Sequence, residues 1–290
     1  MMYIKLDMIF EERGNYKMKI NNKYAKALLL FPTIFLISCS DMSETKEDVL
    51  AWDATNYTMY NEFMTCTAGD KYSQEALNEA VASWRGIEKS ESILGAWGYA
   101  TVTDNGTSFN NWWELSWSSK EEADAGWQEW LASKEAAAWG EKYSSVLQCD
   151  GENREGYDFI FPYDPYAFGD SPEDGSFSAS FSPCILNEGV SQEDFSNALI
   201  QYNSWLDNID QSQTSGFYAY GIYLPEDAAA EEDFWFANFH ENLETMSEGN
   251  NLWEETGGDA KVQMEAASTC SAPEISNGQV FFDPSDPNFS

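Results

Sequence analysis

The sequence predicts an α+β fold in which one β-α-β-β-α-β unit occurs twice in tandem and the two copies close on each other over their sheets. Three observations carry that prediction. The stretch 66–165 is written a second time over 184–287, each copy alternates between two-residue and 3.6-residue hydrophobic periods, and aromatic residues fall on both faces of the strands. Cys66 falls on Cys184 and Cys149 on Cys270. Ser73-Gln-Glu matches Ser191-Gln-Glu, Ser83-Trp84 matches Ser204-Trp205, WWELSW from Trp112 matches FWFANF from Phe234, and GYDFIFPYDP from Gly156 matches GQVFFDPSDP from Gly278. Similarity spread over about a hundred residues indicates duplicated domains, because solenoid repeats have periods of roughly 20–50 residues.

Within each copy the elements follow from pattern. Residues 57–66 and 176–184 are short β-prone runs. Ser73 opens a helix with Ala76, Leu77, Ala80, Val81, Trp84 and Ile87 on one stripe, and Ser191 opens its counterpart with Phe195, Ala198, Leu199, Tyr202, Trp205 and Ile209. Both serines stand where a side-chain oxygen caps free N–H groups of a first turn. Residues 96–102 and 112–117 alternate as strands around Asp104-Asn105-Gly106, which supplies the positive φ of a turn. Ser119-Lys-Glu-Glu122 has capping-box spacing and starts a second helix, with Ala123, Trp127, Trp130 and Leu131 on its apolar face. Residues 156–161 form the last strand, stopped by Pro162.

This order is the ferredoxin-like arrangement, whose sheet carries helices on one face only. Here both faces are aromatic, so the second face needs a partner, and the sister copy is the nearest one. The layout resembles the dimeric α+β barrel superfamily, to which antibiotic-biosynthesis monooxygenases and EthD-like proteins belong, with both halves fused in one chain. The resemblance covers nearly all of the chain after residue 53. It rests on element order and duplication, and it implies the fold but no site residue. It also admits a haem, which some members bind.

Ahead of the copies, Lys17, Lys19, Lys23 and Lys26 precede the apolar run 27–38, which has the length of a signal-peptide core. Leu36-Ile-Ser-Cys39 resembles a bacterial lipobox, with Cys39 acylated as the new terminus. Asp7, Glu11 and Glu12 do not suit a basic leader, which points to translation from Met18. Ser40 rather than Asp follows Cys39, resembling the default that sorts lipoproteins to the outer membrane. The expected organisation is a signal peptide over 1–38, a lipidated tether over 39–53, repeat 1 over 54–165, a linker over 166–175 and repeat 2 over 176–290.

The chain carries 15 Lys+Arg against 50 Asp+Glu; losing the six basic and three acidic residues of 1–38 leaves a net charge of −38. Such a surface repels phosphate backbones and anionic head groups, so nucleic acid is excluded and membrane contact should come through lipid on Cys39 alone. The acidic shell reads as solvation in a salty medium, or as cation capture. Four cysteines remain in an exported, oxidising setting. In a ferredoxin-like sheet strand four runs antiparallel beside strand one, so Cys66–Cys149 and Cys184–Cys270 are the expected disulfides.

Chemistry is sparse. His240 is the only histidine, which removes the usual zinc sets and two-His facial triads, and it is expected at an exposed strand–helix junction. Asp164, Asp170, Glu173 and Asp174 in the linker lack EF-hand order. No metal or cofactor is expected. Glu114 is an acid inside an aromatic strand. Pointing into the barrel it would have a raised pKa and could act as a base or ligand anchor; otherwise it meets solvent or Arg85. Trp84, Trp127 and Trp130 read as helix packing. Trp97, Tyr99, Trp113 and Trp117, with Tyr218, Tyr220, Trp235 and Phe239 in the second copy, are the candidates to line a ligand cavity. The leading expectation is a non-catalytic envelope lipoprotein that holds a small apolar or aromatic ligand or serves as an interaction module. The alternatives are a cofactor-free oxygenase or isomerase acting inside the barrel, with Glu114 and His240 as weak catalytic candidates, and glycan binding through exposed tryptophans.

Overall fold

The computed structural model describes residues 59–102, 111–210 and 216–290. The signal segment, Cys39, the tether and the Asp104-Asn105-Gly106 turn lie outside the described residues. The first half runs β1 (Met59–Ala68), α1 (Gln74–Arg85), β2 (Ile93–Thr101), β3 (Asn111–Trp117), α2 (Lys120–Ala132), α3 (Lys134–Tyr143), β4 (Leu147–Cys149) and β5 (Glu155–Ile160). The second repeats that order as β6 (Ser176–Leu186), α4 (Gln192–Asn208), β7 (Tyr218–Pro225), β8 (Phe234–His240), α5 (Leu243–Thr256), α6 (Gly258–Ala267), β9 (Ser268–Cys270) and β10 (Glu274–Phe282).

The helices begin where the sequence places caps. The Ser73 hydroxyl accepts from Ala76 N at 3.1 Å and the Ser119 hydroxyl from Glu122 N at 3.2 Å, while Ser191 and Asp194 form a reciprocal capping box. The second helix of each copy is broken, which the periodicity did not reveal. Ser133 N–H closes α2 onto Trp130 O while the Ser133 hydroxyl caps α3 at Ala136 N, and Gly257 N–H closes α5 onto Trp253 O. The break gives each half room for a three-residue strand that carries its second cysteine.

In the first half the strands lie in the order β2-β3-β1-β5, and in the second β7-β8-β6-β10. Two antiparallel seams join them. β5 pairs with β7 from Tyr157↔Pro225 to Ile160↔Ile222, and β10 pairs with β2 from Ser276↔Thr101 to Phe282↔Ala96. The eight long strands therefore close into one barrel, and the fold is two ferredoxin-like halves packed as an intramolecular dimeric α+β barrel. Closure leaves none of these strands with a free edge. Both disulfides are as expected: Cys66–Cys149 joins β1 to β4, Cys184–Cys270 joins β6 to β9, and each stays within its half.

The register corrects the sequence alignment. Asn111 lies opposite Cys66, and Phe234 lies opposite Cys184. Trp112 therefore corresponds to Trp235, Glu114 to Ala237 and Trp117 to His240, one residue away from the match of WWELSW to FWFANF. A one-residue slip exchanges the two faces of a strand. Since Gly278 lies opposite Tyr99, as Phe159 lies opposite Tyr223, the last strands are offset as well: Gly278 corresponds to Phe159 rather than to Gly156. Gly221 shows what such offsets permit. A Cβ there would sit 2.3 Å from the Phe159 ring, so glycine lets the edge of a ring from one half reach the backbone of the other.

Three cores result. The barrel interior is filled by rings from both halves, with Phe63 5.3 Å from Tyr223 and Tyr99 5.2 Å from Phe181. Outside it, α1 and α2 cover the sheet of the first half over Val81, Trp84, Trp113 and Trp117. On the second half, α4 and α6 cover Phe195, Leu199, Tyr220, Ile222 and Phe234.

Candidate functional site

Three places gather chemically capable side chains: the centre of the barrel and one cleft between sheet and helices in each half. At the centre, Glu114 on β3 is 1% exposed. Its carboxylate accepts from Asn61 Nδ2 at 2.6 Å, from the Tyr99 hydroxyl at 2.6 Å and from the Tyr223 hydroxyl at 2.9 Å. Asn61 Oδ1 in turn accepts from Ser116 at 2.8 Å. Glu114 therefore meets neither solvent nor Arg85, whose guanidinium instead donates to Phe281 O and Val280 O across the β10–β2 side. Burial pushes the Glu114 carboxyl up to about 7, against the pull of its three donors, and burial together with the nearby carboxylate holds Tyr99 and Tyr223 well above the usual phenol range. The two tyrosines are counterparts, since Tyr99 lies opposite Trp112 and Tyr223 opposite Trp235. Their shared acceptor has no twin: Glu114, Asn61 and Ser116 correspond to Ala237, Ala179 and Phe239.

Strand pleat divides the expected cavity residues between two faces. Trp97, Tyr99, Trp235 and Phe239 point into the barrel, where ring contacts fill the interior. Trp113 and Trp117 point outward onto the helices of the first half, and Tyr218 and Tyr220 onto those of the second. Cross-strand partners share a face, and Trp97 faces Glu114 while Gly98 faces Trp113, so these residues could not have lined one cavity.

The outward tryptophans line a different space. Between the first half's sheet and α1–α3 lies a cleft of about 640 Å³ walled by six tryptophans: Trp84, Trp113, Trp117, Trp127, Trp130 and Trp139. Their rings meet edge to face, with Trp84 5.1 Å from Trp113 and Trp130 6.1 Å from Trp139. Trp127 Nε1 donates to Glu62 at 2.6 Å and Trp139 Nε1 to Ala80 O at 2.9 Å. The indole N–H groups of Trp113 and Trp117 are buried with no acceptor among the described residues, at a cost on the order of 1–3 kcal/mol each. Lys89 stands at the rim with its ammonium 4.6 Å over Trp84, drawn down to about 8 by burial and then by the charge of Arg85. Sequence periodicity assigned Trp84, Trp127 and Trp130 to packing. The available signal was that Trp113 and Trp117, four residues apart on a strand, share one face.

The second half holds the counterpart, a cleft of about 400 Å³ between β7–β8 and α4–α6. Counting from the helix caps, Tyr202 stands for Trp84, Trp253 for Trp130 and Gly249 for Gly126. His240 stands for Trp117, and each ring rests against its helix glycine: a Cβ on Gly126 would be 2.3 Å from Trp117, and one on Gly249 would be 3.0 Å from His240 Cε1. His240 is thus 5% exposed rather than at the surface, and burial pulls its pKa down to about 4. A haem does not fit here. The Tyr218 ring lies 4.9 Å from the imidazole, Glu248, Glu254 and Glu265 line the cleft and would repel a haem's propionates, and its one lysine, Lys261, is paired with Glu254. Among the described residues no group of three or more His, Cys, Asp or Glu side chains is placed to hold a metal ion.

No protein-family model and no curated protein matches the chain. Similar solved structures include a candidate monooxygenase from Lactobacillus acidophilus at 12% identity and TM-score 0.45, covering 78% of this chain and 95% of that one. An anthrone oxidase-like protein is 10% identical at TM-score 0.47, covering 78% and 92%. The chlorite dismutase of Candidatus Nitrospira defluvii, in complex with imidazole, is 10% identical at TM-score 0.46, covering 77% and 92%. Likeness at this level bears on neither activity nor substrate. The class is defined by the strand pairing of the chain itself, a dimeric α+β barrel fused into one polypeptide.

Proposed function

We propose that this protein is an exported lipoprotein, anchored in the outer membrane through Cys39, that binds a small, largely aromatic ligand bearing oxygen acceptors in the tryptophan-walled cleft of its first half. The observation that carries the reading is the pair of buried, unpartnered indole donors, Trp113 and Trp117, in a cleft of ligand size. An acceptor that works into the packing beside either N–H from the cleft relieves a desolvation cost already present in the free protein. Export is supported by the leader and lipobox together with two disulfides, which persist in oxidising compartments.

Titration with coumarin, planar and carbonyl-bearing, tests the reading against naphthalene, which has the same shape without an acceptor. Coumarin should raise the unfolding midpoint and bind about tenfold more tightly, one hydrogen bond to a buried donor being worth about 1.4 kcal/mol. The Trp113→Phe and Trp117→Phe variants should lose that preference. Equal binding of both probes, or an unchanged preference in both variants, would refute it.

A second reading, proton transfer at Glu114 inside the barrel, is favoured by a carboxyl poised near neutrality beside two tyrosine hydroxyls. The rings of Phe63, Phe181 and Tyr157 pack around that network and fill the position a substrate would need. Glycan stacking on exposed indoles finds no support, because every described tryptophan is buried or half-buried.

A further inference from the structure

The cleft of the second half is not a weaker copy of the first. Where the first presents unpaired donors, the second presents an acceptor. The His240 side chain carries no hydrogen bond among the described residues, and burial alone acts on its imidazole, so at neutral pH the ring is uncharged and one of its nitrogens offers a lone pair. The neighbouring hydroxyls are already engaged: Tyr202 and Tyr218 share a hydrogen bond of 2.6 Å, and Tyr218 donates to Asn238 Oδ1 at 3.0 Å. Aromatic rings wall the space and pack edge to face on one another, with Trp205 4.7 Å from Trp253 and Tyr202 5.0 Å from Trp253. At the rim Glu248, Glu254 and Glu265 face one cation, Lys261, which is bound to Glu254 and lies 3.9 Å from Glu265. A chain of net charge −35 adds a field that draws cations and repels anions.

We propose that this second cleft binds a primary organic ammonium carried on an aromatic or alkyl body, with His240 accepting from the ammonium, the ring faces of Trp205 and Trp253 attracting its charge, and the rim carboxylates drawing it in. Each component suits that chemistry and no other simple class. A carboxylate or phosphate meets the acidic rim, and a neutral alcohol gains neither the cation–π attraction nor the field. The site rests on residues of α4–α6, β7 and β8, so it stands or falls independently of the first cleft.

One histidine per chain makes the test direct. With histidine labelled by nitrogen-15, the protein gives a single pair of imidazole resonances, titrated at pH 7 with phenethylammonium, 2-phenylethanol and phenylacetate in parallel. Phenethylammonium should shift those resonances saturably, and 2-phenylethanol should bind roughly tenfold more weakly, about 1.4 kcal/mol, which lies between an exposed and a fully desolvated cation–π contact. Phenylacetate should leave them unmoved, and added salt should weaken the ammonium. By calorimetry the His240→Phe variant should lose about tenfold in affinity. If that variant does not fold, the resonances of the unaltered protein still decide. Absence of a saturable His240 shift, or equal affinity for ammonium and alcohol, overturns the proposal.

Discussion

Replacing Glu114 by Gln should unmask a titration that the native protein conceals. The carboxyl has a pKa of about 7 when folded, against an ordinary glutamate value of 4.5, so between those limits the folded state holds more protons than the unfolded one. Its contribution to stability is therefore full below pH 4.5 and is lost as the pH rises through 7. Linkage gives a loss of about 2–3 kcal/mol between pH 5 and pH 8. His240 acts in the opposite sense. Its folded pKa, about 4 against 6.5, means that the unfolded state binds the extra proton, and stability rises by about 2 kcal/mol over the same interval. The two nearly cancel. Urea unfolding at pH 5, 6, 7 and 8 with the disulfides intact separates them, because the many exposed carboxylates are common to both proteins and drop out of the difference. The stability of Glu114→Gln minus that of the native protein should grow by about 2–3 kcal/mol toward pH 8, while His240→Phe should show a falling profile. A difference that stays constant across the range would refute the assignment of a buried, near-neutral carboxyl to the barrel centre.

Two further outcomes follow from the packing. Glu62 is 2% exposed and holds Arg154 at 2.6 Å, so Arg154→Ala strands a buried charge and should cost about 3 kcal/mol in chemical denaturation, most of it recovered in the Glu62→Gln/Arg154→Ala pair. Cys66 and Cys149 are 83 residues apart, and the Cys66→Ser/Cys149→Ser variant should lose up to about 4.5 kcal/mol of loop-closure stabilisation. A loss below about 1 kcal/mol would show that the unfolded first half keeps its ends together without the bond.

Much of this architecture was legible in residues that act locally. Ser73, Ser119 and Ser191 cap helices through bonds made within three residues, and the cysteine pairs follow from the order of strands in a ferredoxin-like sheet. What escaped depends on long-range register. The match of WWELSW to FWFANF is sound as composition, yet one residue out as geometry, and only the strands opposite Cys66 and Cys184 reveal it. That slip hid the equivalence of Glu114 with Ala237 and of Trp117 with His240. His240 read as exposed because the sequence does not show that Gly249, a turn and more away on α5, leaves a socket for its ring. Ser133 and Gly257 stop helices in the middle of runs that are otherwise helical, Ser133 by capping α3 with its own hydroxyl and Gly257, followed by Gly258, as a poor helix former.

The lone carboxylate at the centre of the barrel has a consequence for why the halves share one polypeptide. In an assembly of two identical chains, any residue near the twofold axis arrives with its mate, and an acid at the Glu114 position would bring a second acid into reach of the same two phenols. Two such charges a few ångströms apart in a dry interior cannot both ionise. Covalent fusion lifts that obligation: one half keeps the acid, the other substitutes Ala237, and the axis is left with a single proton site.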